Sequence, residues 1–319
     1  MTPGRPNAHL VTSPSYHTAV TQFAGTALHM GHTLVFMDKW DAEETLRLCA
    51  RHRVTNSHLV PTHFKRLLSL PEETRRSYDL SSLRWMIHAA APCPVPVKWQ
   101  MLEWWGDVIY EYYAATEGGG TIATPEDWKK RPGTVGNAWP GSELLIVDDE
   151  LAPVPAGTPG TVYMKMGISF EYKGDPEKTA ANRLRDFFTV GDIGYLDEDG
   201  FLFLCDRKAD MIISGGANIY PAEIEKELMV HPKVADVAVF GIPDDEWGER
   251  IMAVVEPAPG AVPGQELAAE IVLSLEGRLA RMKWPSVIDF IDEMPREPNG
   301  KLLKRKLRAP YWEGRDRAI

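Results

Sequence analysis

Residues 187–225 read FFTVGDIGYLDEDGFLFLCDRKADMIISGGANIYPAEIE, and no other stretch restricts this chain so tightly. A turn glycine, Gly191, precedes Asp192, and a single arginine, Arg207, follows two strand-like runs later. The small-residue loop Ser214-Gly215-Gly216 then opens into a helix at Pro221. Such a layout can hold a vicinal diol, such as that of a ribose, from both sides and then swing a second domain.

The chain has 319 residues, enough for two domains. Apolar residues make up 44% and charged residues 25%, as in ordinary globular proteins. A formal net charge of −10 argues against a general nucleic-acid binder. Cys49, Cys93 and Cys205 leave one thiol over from any pairing, which suits a reducing compartment and no disulfide framework. None lies in a CxxC pair or near a tight histidine cluster, so no zinc is expected. The opening MTPGRPNAHL lacks the apolar core of a signal peptide. The least charged run, Thr18 to Met37, contains Gln22, His29, Gly31 and His32 and falls short of a membrane span. It reads as a buried helix followed by a strand. A cytoplasmic protein without a transmembrane segment is expected.

Three characters succeed one another. Residues 1–130 alternate strand-like and helical patches, with strands expected at Leu34–Met37, Thr55–Val60, Leu83–Ala91 and Val108–Tyr113. Asp41 is placed to cap a helix, with Glu44 as its capping-box partner. This pattern implies part of an α/β layer with a parallel sheet. In 131–209 Gly and Pro recur between runs such as Glu143–Val147 and Gly160–Lys165, which reads as a small antiparallel β-barrel or sandwich running into a hinge. In 210–319 helices are expected at Ala222–Met229 and Glu266–Ala280, and strands at Val234–Phe240, Arg250–Glu256 and Val287–Ile291. That reads as a separate, mobile α+β domain.

Five segments carry chemistry. Tyr112-Tyr113-Ala114-Ala115-Thr116-Glu117-Gly118-Gly119 ends a strand in glycines. A carboxylate beside a hydroxyl at a strand's carboxyl end can take magnesium and a phosphate oxygen together. Taken alone, the same residues fit a solvated turn. Asp192 can accept from both hydroxyls of a ribose, and Arg207 adds donors. His17, in TSPSYHTA, stands at the start of a helix, where an isolated histidine usually has no role. Gly133-Thr134-Val135-Gly136-Asn137-Ala138-Trp139-Pro140-Gly141 reads as a structural turn. Pro295-Arg296-Glu297-Pro298-Asn299-Gly300-Lys301 is a proline-braced loop delivering one lysine, which otherwise merely begins the basic run KLLKRKLR.

Together these segments closely resemble the adenylate-forming superfamily, the acyl-CoA synthetases and their relatives. The segment around Glu117 is similar to that family's Tyr-Gly-x-Thr-Glu motif, with Ala114 in place of glycine. Ala89-Ala90-Ala91-Pro92 looks like its Gly-Gly-Ala-Pro segment. The resemblance implies that Tyr113 stacks on adenine, with Ala91 and Pro92 lining the adenine and acyl pockets. It implies that Thr116 contacts the α-phosphate, that Glu117 holds magnesium, and that His17 faces the carboxylate. Lys301 would bridge carboxylate and α-phosphate oxygens as charge builds. The C-terminal domain would then withdraw Lys301 and bring Ser214, Gly215 and Gly216 to the pantetheine of coenzyme A. In many relatives a charged residue two places after the arginine is the pivot. Here Ala209 holds that place between Lys208 and Asp210, and the pivot is left open.

The resemblance implies an AMP-forming acid–CoA ligase that uses ATP, Mg2+ and coenzyme A. Ala89–Ala91 points to a fatty or bulky apolar carboxylic acid. No part of the chain resembles the family's Ser/Thr/Gly-rich phosphate loop, and the resemblance covers only the later portion of a full-length relative. Activity of the chain alone is therefore open, since no amide cradle would stabilise departing pyrophosphate. Met1 as a start inside a longer reading frame and a front half supplied by a second polypeptide are both consistent with this. The surface facing the missing part would be an apolar patch open to self-association. Two alternatives stand beside this reading: an adenylation domain loading a carrier protein, and a non-catalytic or partner-dependent nucleotide- or coenzyme A-binding fragment.

Overall fold

A computed structural model describes residues 7–167, 169–297 and 301–314. Met1 and the Pro298-Asn299-Gly300 part of the lysine loop lie outside the described residues. The strands form three sheets along the chain.

The first unit runs β1 (Ala8–Val11), α1 (Thr18–His29), β2 (Thr33–Phe36), α2 (Ala42–His52), β3 (Asn56–Leu59), α3 (Pro61–Leu68) and α4 (Glu72–Arg76). It continues with β4 (Trp85–His88), α5 (Val95–Trp105), β5 (Ile109–Ala115), β6 (Gly118–Ala123), α6 (Pro125–Lys130) and β7 (Asn137–Ala138). The strand order is β2-β1-β3-β4-β5-β6-β7, parallel from β2 to β5 and antiparallel thereafter. Helical crossovers make the parallel part possible. One face packs Leu10, Leu59, Met86 and Ile109 against Leu46, Phe64, Met101 and Trp105 of α2, α3 and α5.

Local chemistry sets several boundaries. The Asp41 carboxylate accepts from Glu44 N at 2.8 Å and starts α2. The expected reciprocal bond is absent because Glu44 turns to Arg47, 2.5 Å away. A complete capping box stands instead on α6, between Thr124 and Asp127. Strand β4 stops at His88, short of the expected Ala91, because Ala90 has φ 76° and leaves the ladder. Gly136 has φ 102°, and a Cβ there would lie 2.0 Å from the Ile122 carbonyl carbon, so this turn admits only glycine.

The expected burial of Thr18–Met37 is only partial. Val20, Ala24 and Ala27 point inward, but Leu28 and Phe36 are 60% and 61% exposed. The cause is position: β2 is the edge strand, with a neighbour on one side only. Tyr16 and Met30 are exposed as well.

The second sheet holds β8 (Ser142–Val147), β9 (Gly160–Met166), β10 (Arg183–Leu184), β11 (Phe187–Phe188), β12 (Asp192–Leu196) and β13 (Leu202–Arg207), with α7 (Pro176–Ala181) between β9 and β10. It is antiparallel, as expected, but the described strands do not close into a barrel. Strand β9 is central, with β8 on one flank and β11 and β12 sharing the other.

The third unit comprises β14 (Ile212–Ser214), β15 (Ala217–Ile219), α8 (Pro221–Leu228), β16 (Val234–Asp244), β17 (Gly248–Pro257), α9 (Gln265–Leu273), β18 (Val287–Phe290) and α10 (Lys304–Arg308). Its core sets Ile224 and Leu228 of α8 and Leu267 and Ile271 of α9 on Val237, Val239, Ile251 and Val255. Helix α9 is shorter than expected. Ser274 turns its hydroxyl back to the Ile271 carbonyl, and Gly277 at φ 72° ends any helical path towards Ala280. No helix among the described residues is long and apolar enough to cross a membrane.

Candidate active site

Strands β12 and β13 form a hairpin in which Asp192 and Arg207 are register partners. Residues fifteen places apart in sequence therefore face each other, and Arg207 Nε lies 3.2 Å from Asp192 Oδ1. The other carboxylate oxygen, Oδ2, accepts from the Tyr113 hydroxyl at 2.5 Å. Tyr113 arrives from β5 of the first sheet, so this bond joins two units. Asp192 is buried while the arginine side chain is 51% exposed, so the guanidinium keeps contact with solvent.

Burial pushes the Asp192 carboxyl above its usual range, and the Tyr113 hydroxyl, Arg207 and the charge of Lys301 oppose that rise. Burial, with Asp192 beside it, pushes the Tyr113 phenol far up, so Tyr113 stays a donor at all physiological pH.

Glu117 lies in the turn between β5 and β6, and its Oε1 accepts from the Tyr172 hydroxyl at 2.7 Å. Burial and this bond push the Tyr172 phenol up to about 12. Tyr172 is itself held edge-on by Phe170, with Lys178 4.7 Å from its ring centre. Thr116 is exposed beside Glu117. Below this turn, Lys98 of α5 meets Glu111 of β5 at 2.6 Å, both fully or nearly buried, and lies 4.7 Å from the Trp128 ring centre. His88 Nε2 is 3.5 Å from the same carboxylate oxygen.

The other expected residues lie as follows. His17 is the residue before α1, with extended backbone, its ring 5.4 Å from that of Tyr16. Ala91 and Pro92 follow β4 in the loop to α5. Ser214, Gly215 and Gly216 form the tip between β14 and β15 in the third sheet. That tip packs on Trp247: Gly215 N donates to its carbonyl at 2.9 Å, and a Cβ on Gly215 would lie 2.6 Å from its ring. Around the open pivot, Lys208 pairs with Asp149 at 2.8 Å, while Arg308 holds the Ala209 carbonyl at 3.2 Å and the Asp210 carboxylate at 3.6 Å.

Sequence reasoning missed Tyr172 and the Lys98–Glu111 pair. Tyr172 lies 55 residues from Glu117, and no spacing rule links them. Lys98 stands in the run VPVKWQMLEWW of α5 and Glu111 in IYEYY of β5, and a charge within such a mainly apolar run is the available signal.

Comparison with known proteins identifies the family. Residues 4–169 match the family model of the AMP-binding enzyme, and residues 223–301 match the AMP-binding enzyme C-terminal domain. A fatty acid–[acyl-carrier-protein] ligase, ScoC, of Streptomyces coeruleorubidus is 32% identical over 95% of this chain and 59% of its own length. A 2-succinylbenzoate–CoA ligase of Bacillus pumilus is 35% identical over 94% of this chain and 60% of its own. The solved amide bond synthetase McbA of Marinactinospora thermotolerans superposes with a TM-score of 0.87 at 30% identity, covering 97% of this chain and 63% of that one. The chain thus spans about three-fifths of the length of the curated relatives it matches. With both family models matched and a tyrosine, an aspartate and an arginine gathered where the second sheet meets the first, the chain belongs to the adenylate-forming superfamily of AMP-binding enzymes.

Proposed function

We propose that the chain is the nucleotide-handling part of an AMP-forming acid–CoA ligase. The observation that carries this reading is the convergence on Asp192 of the Tyr113 phenol and the Arg207 guanidinium. A carboxylate has about four acceptor sites, so Asp192 can still receive both ribose hydroxyls beside these partners. The names of the two curated ligases support acid activation.

In the first step an acid carboxylate attacks the α-phosphorus of ATP, and pyrophosphate leaves. Tyr113 stacks on adenine with Ala91 and Pro92 lining its pocket, and Asp192 and Arg207 hold the ribose side. Thr116 donates to an α-phosphate oxygen. Lys301 offsets the negative charge shared by the acid and the α-phosphate, and His17 faces the acid. In the second step the thiolate of coenzyme A attacks the acyl carbonyl and AMP departs, with Ser214, Gly215 and Gly216 letting the backbone pass close to the thin pantetheine arm.

Magnesium fits Glu117. Tyr172 occupies one oxygen, and a single carboxylate that leaves most positions to phosphate and water is how this ion is commonly held. When bound, it neutralises phosphate charge.

The proposed acid is fatty or bulky and apolar, because Ala89–Ala91 adds little volume where the acyl group would lie. A cytoplasmic setting agrees with three free cysteines. Transfer to a carrier protein is a second reading, favoured by the name of the Streptomyces relative.

The test is AMP formation by the purified chain with ATP, magnesium, coenzyme A and a panel of carboxylic acids, with Lys301→Ala as control. Acid-dependent AMP that falls at least about a hundredfold in the variant is expected of a self-sufficient ligase. If the folded chain binds AMP but forms none, only the nucleotide-binding part of the reading survives. Exchanging coenzyme A for an acyl carrier protein separates the two acceptors.

A further inference from the structure

One lysine outside the site docks the third unit onto the first. Lys65 lies on α3, and its ammonium donates to the main-chain carbonyl of Val234 at 3.3 Å and to that of Ala235. Both acceptors belong to the start of β16, where the pairing with β17 slips between Val234 and Asp236. A bulge leaves its extra residue out of the ladder, and the carbonyl of that residue, Ala235, is met by Lys65.

The next residue continues the path. Asp236 receives Arg296 through two bonds, 2.7 Å from Nε and 2.8 Å from Nη2. Arg296 bridges Leu302, Glu297 N donates to the Lys301 carbonyl at 2.8 Å, and Leu303 N donates to the Pro295 carbonyl at 2.9 Å. Met294 N is held at 2.7 Å by Glu256. Lys301 is therefore carried on a segment fastened to the β16 bulge, and the bulge is fastened to α3. Burial pulls the Lys65 ammonium below its ordinary pKa, and the charges of Asp236 and Glu256 oppose that fall.

We propose that Lys65 is a positioning residue: by clasping the β16 bulge it holds the third unit against α3 in the arrangement that presents Lys301 to the nucleotide site. The proposal rests on the nucleotide-site reading above. The clasp favours the acid-activating arrangement, so its loss penalises the AMP-forming step and spares thioester transfer.

Hydrogen exchange of the full chain tests this with Lys65→Met, which keeps the stem and removes the donors, and Lys65→Arg, which keeps donors. In Lys65→Met, amides of residues 62–68 and 234–237 should exchange about tenfold faster, while those of β4 and β5 stay unchanged; Lys65→Arg should behave as wild type. Unchanged exchange at both segments overturns the proposal. So does faster exchange throughout, which marks a general loss of stability. AMP serves as a separate probe of the nucleotide site. Protection of residues 187–196 by AMP in wild type and Lys65→Met supports that reading. Its absence in both overturns the reading, and with it the purpose given to the clasp. In an AMP-forming preparation, Lys65→Met should lower kcat of that half-reaction about tenfold with KM for ATP within about twofold. Equal loss in thioester formation from supplied acyl-adenylate overturns the proposal.

Discussion

At the scale of single residues, two positions show how far chemistry can be read from spacing. Asp192 and Arg207 could be singled out because one hairpin with a turn glycine links them, and a hairpin's register is a local property. Ala90 is the opposite case. It holds φ 76°, a left-handed conformation that suits glycine, and its methyl group is kept there against a penalty of roughly 1–2 kcal/mol. Ala90→Gly should therefore stabilise the chain by about 1 kcal/mol after the greater freedom of glycine in the unfolded state is counted. Urea unfolding checks this: the midpoint should rise with an unchanged slope, and a fall would show that the loop is unstrained.

Among elements, several strands were legible as short runs bounded by turn or helix-starting residues. Thr55–Val60 appears as β3, Asn56–Leu59, and Val108–Tyr113 as β5, Ile109–Ala115. What holds β5 in place was not legible. Glu111 projects from β5 to Lys98 of α5, and burial pushes its carboxyl upward while Lys98 opposes the rise. The pair ties α5 to β5, the strand that leads into the turn bearing Thr116 and Glu117. Lys98→Met should destabilise the chain by about 3–5 kcal/mol because Glu111 is left buried and unpaired. The double change Lys98→Met with Glu111→Leu should recover most of that loss, since no charge then remains to be paired. Additive losses in the two singles and the double, measured by urea unfolding, would show that the residues do not act as a pair.

For the whole molecule, the distribution of histidine is the telling property. His58 and His63 lie almost wholly inside the first unit, and burial pushes them from an ordinary 6.5 down to about 4 and about 3. His63 stacks on Trp40 with ring centres 4.3 Å apart, and its Nδ1 has no partner among the described residues. A histidine whose pKa is depressed on folding binds its proton in the unfolded chain first. Its contribution is complete above 6.5 and is lost as pH falls from 6.5 towards the folded value. Each therefore removes about 1.4 kcal/mol per pH unit between roughly pH 6 and 4. His63→Phe should make the fall in stability over this range shallower by about one proton, as read from urea midpoints at a series of pH values. An unaltered slope would mean that His63 titrates alike in both states.

The sequence by itself determined strands such as β3 and β5, the start of α2 at Asp41, and the local motifs that mark an adenylate-forming enzyme. These depend on periodicity and turn chemistry within short windows, where a residue's neighbours in the chain are also its neighbours in space. Tertiary structure alone decided that Tyr172 holds Glu117, that Lys98 is buried against Glu111, and that Lys65 meets a bulge 170 residues away. It also left the β2 edge exposed and stopped the second sheet short of a closed barrel. Each of these outcomes depends on how finished elements pack. A side chain's partner across such a contact is fixed by the shapes of two surfaces, and no short window of sequence contains both.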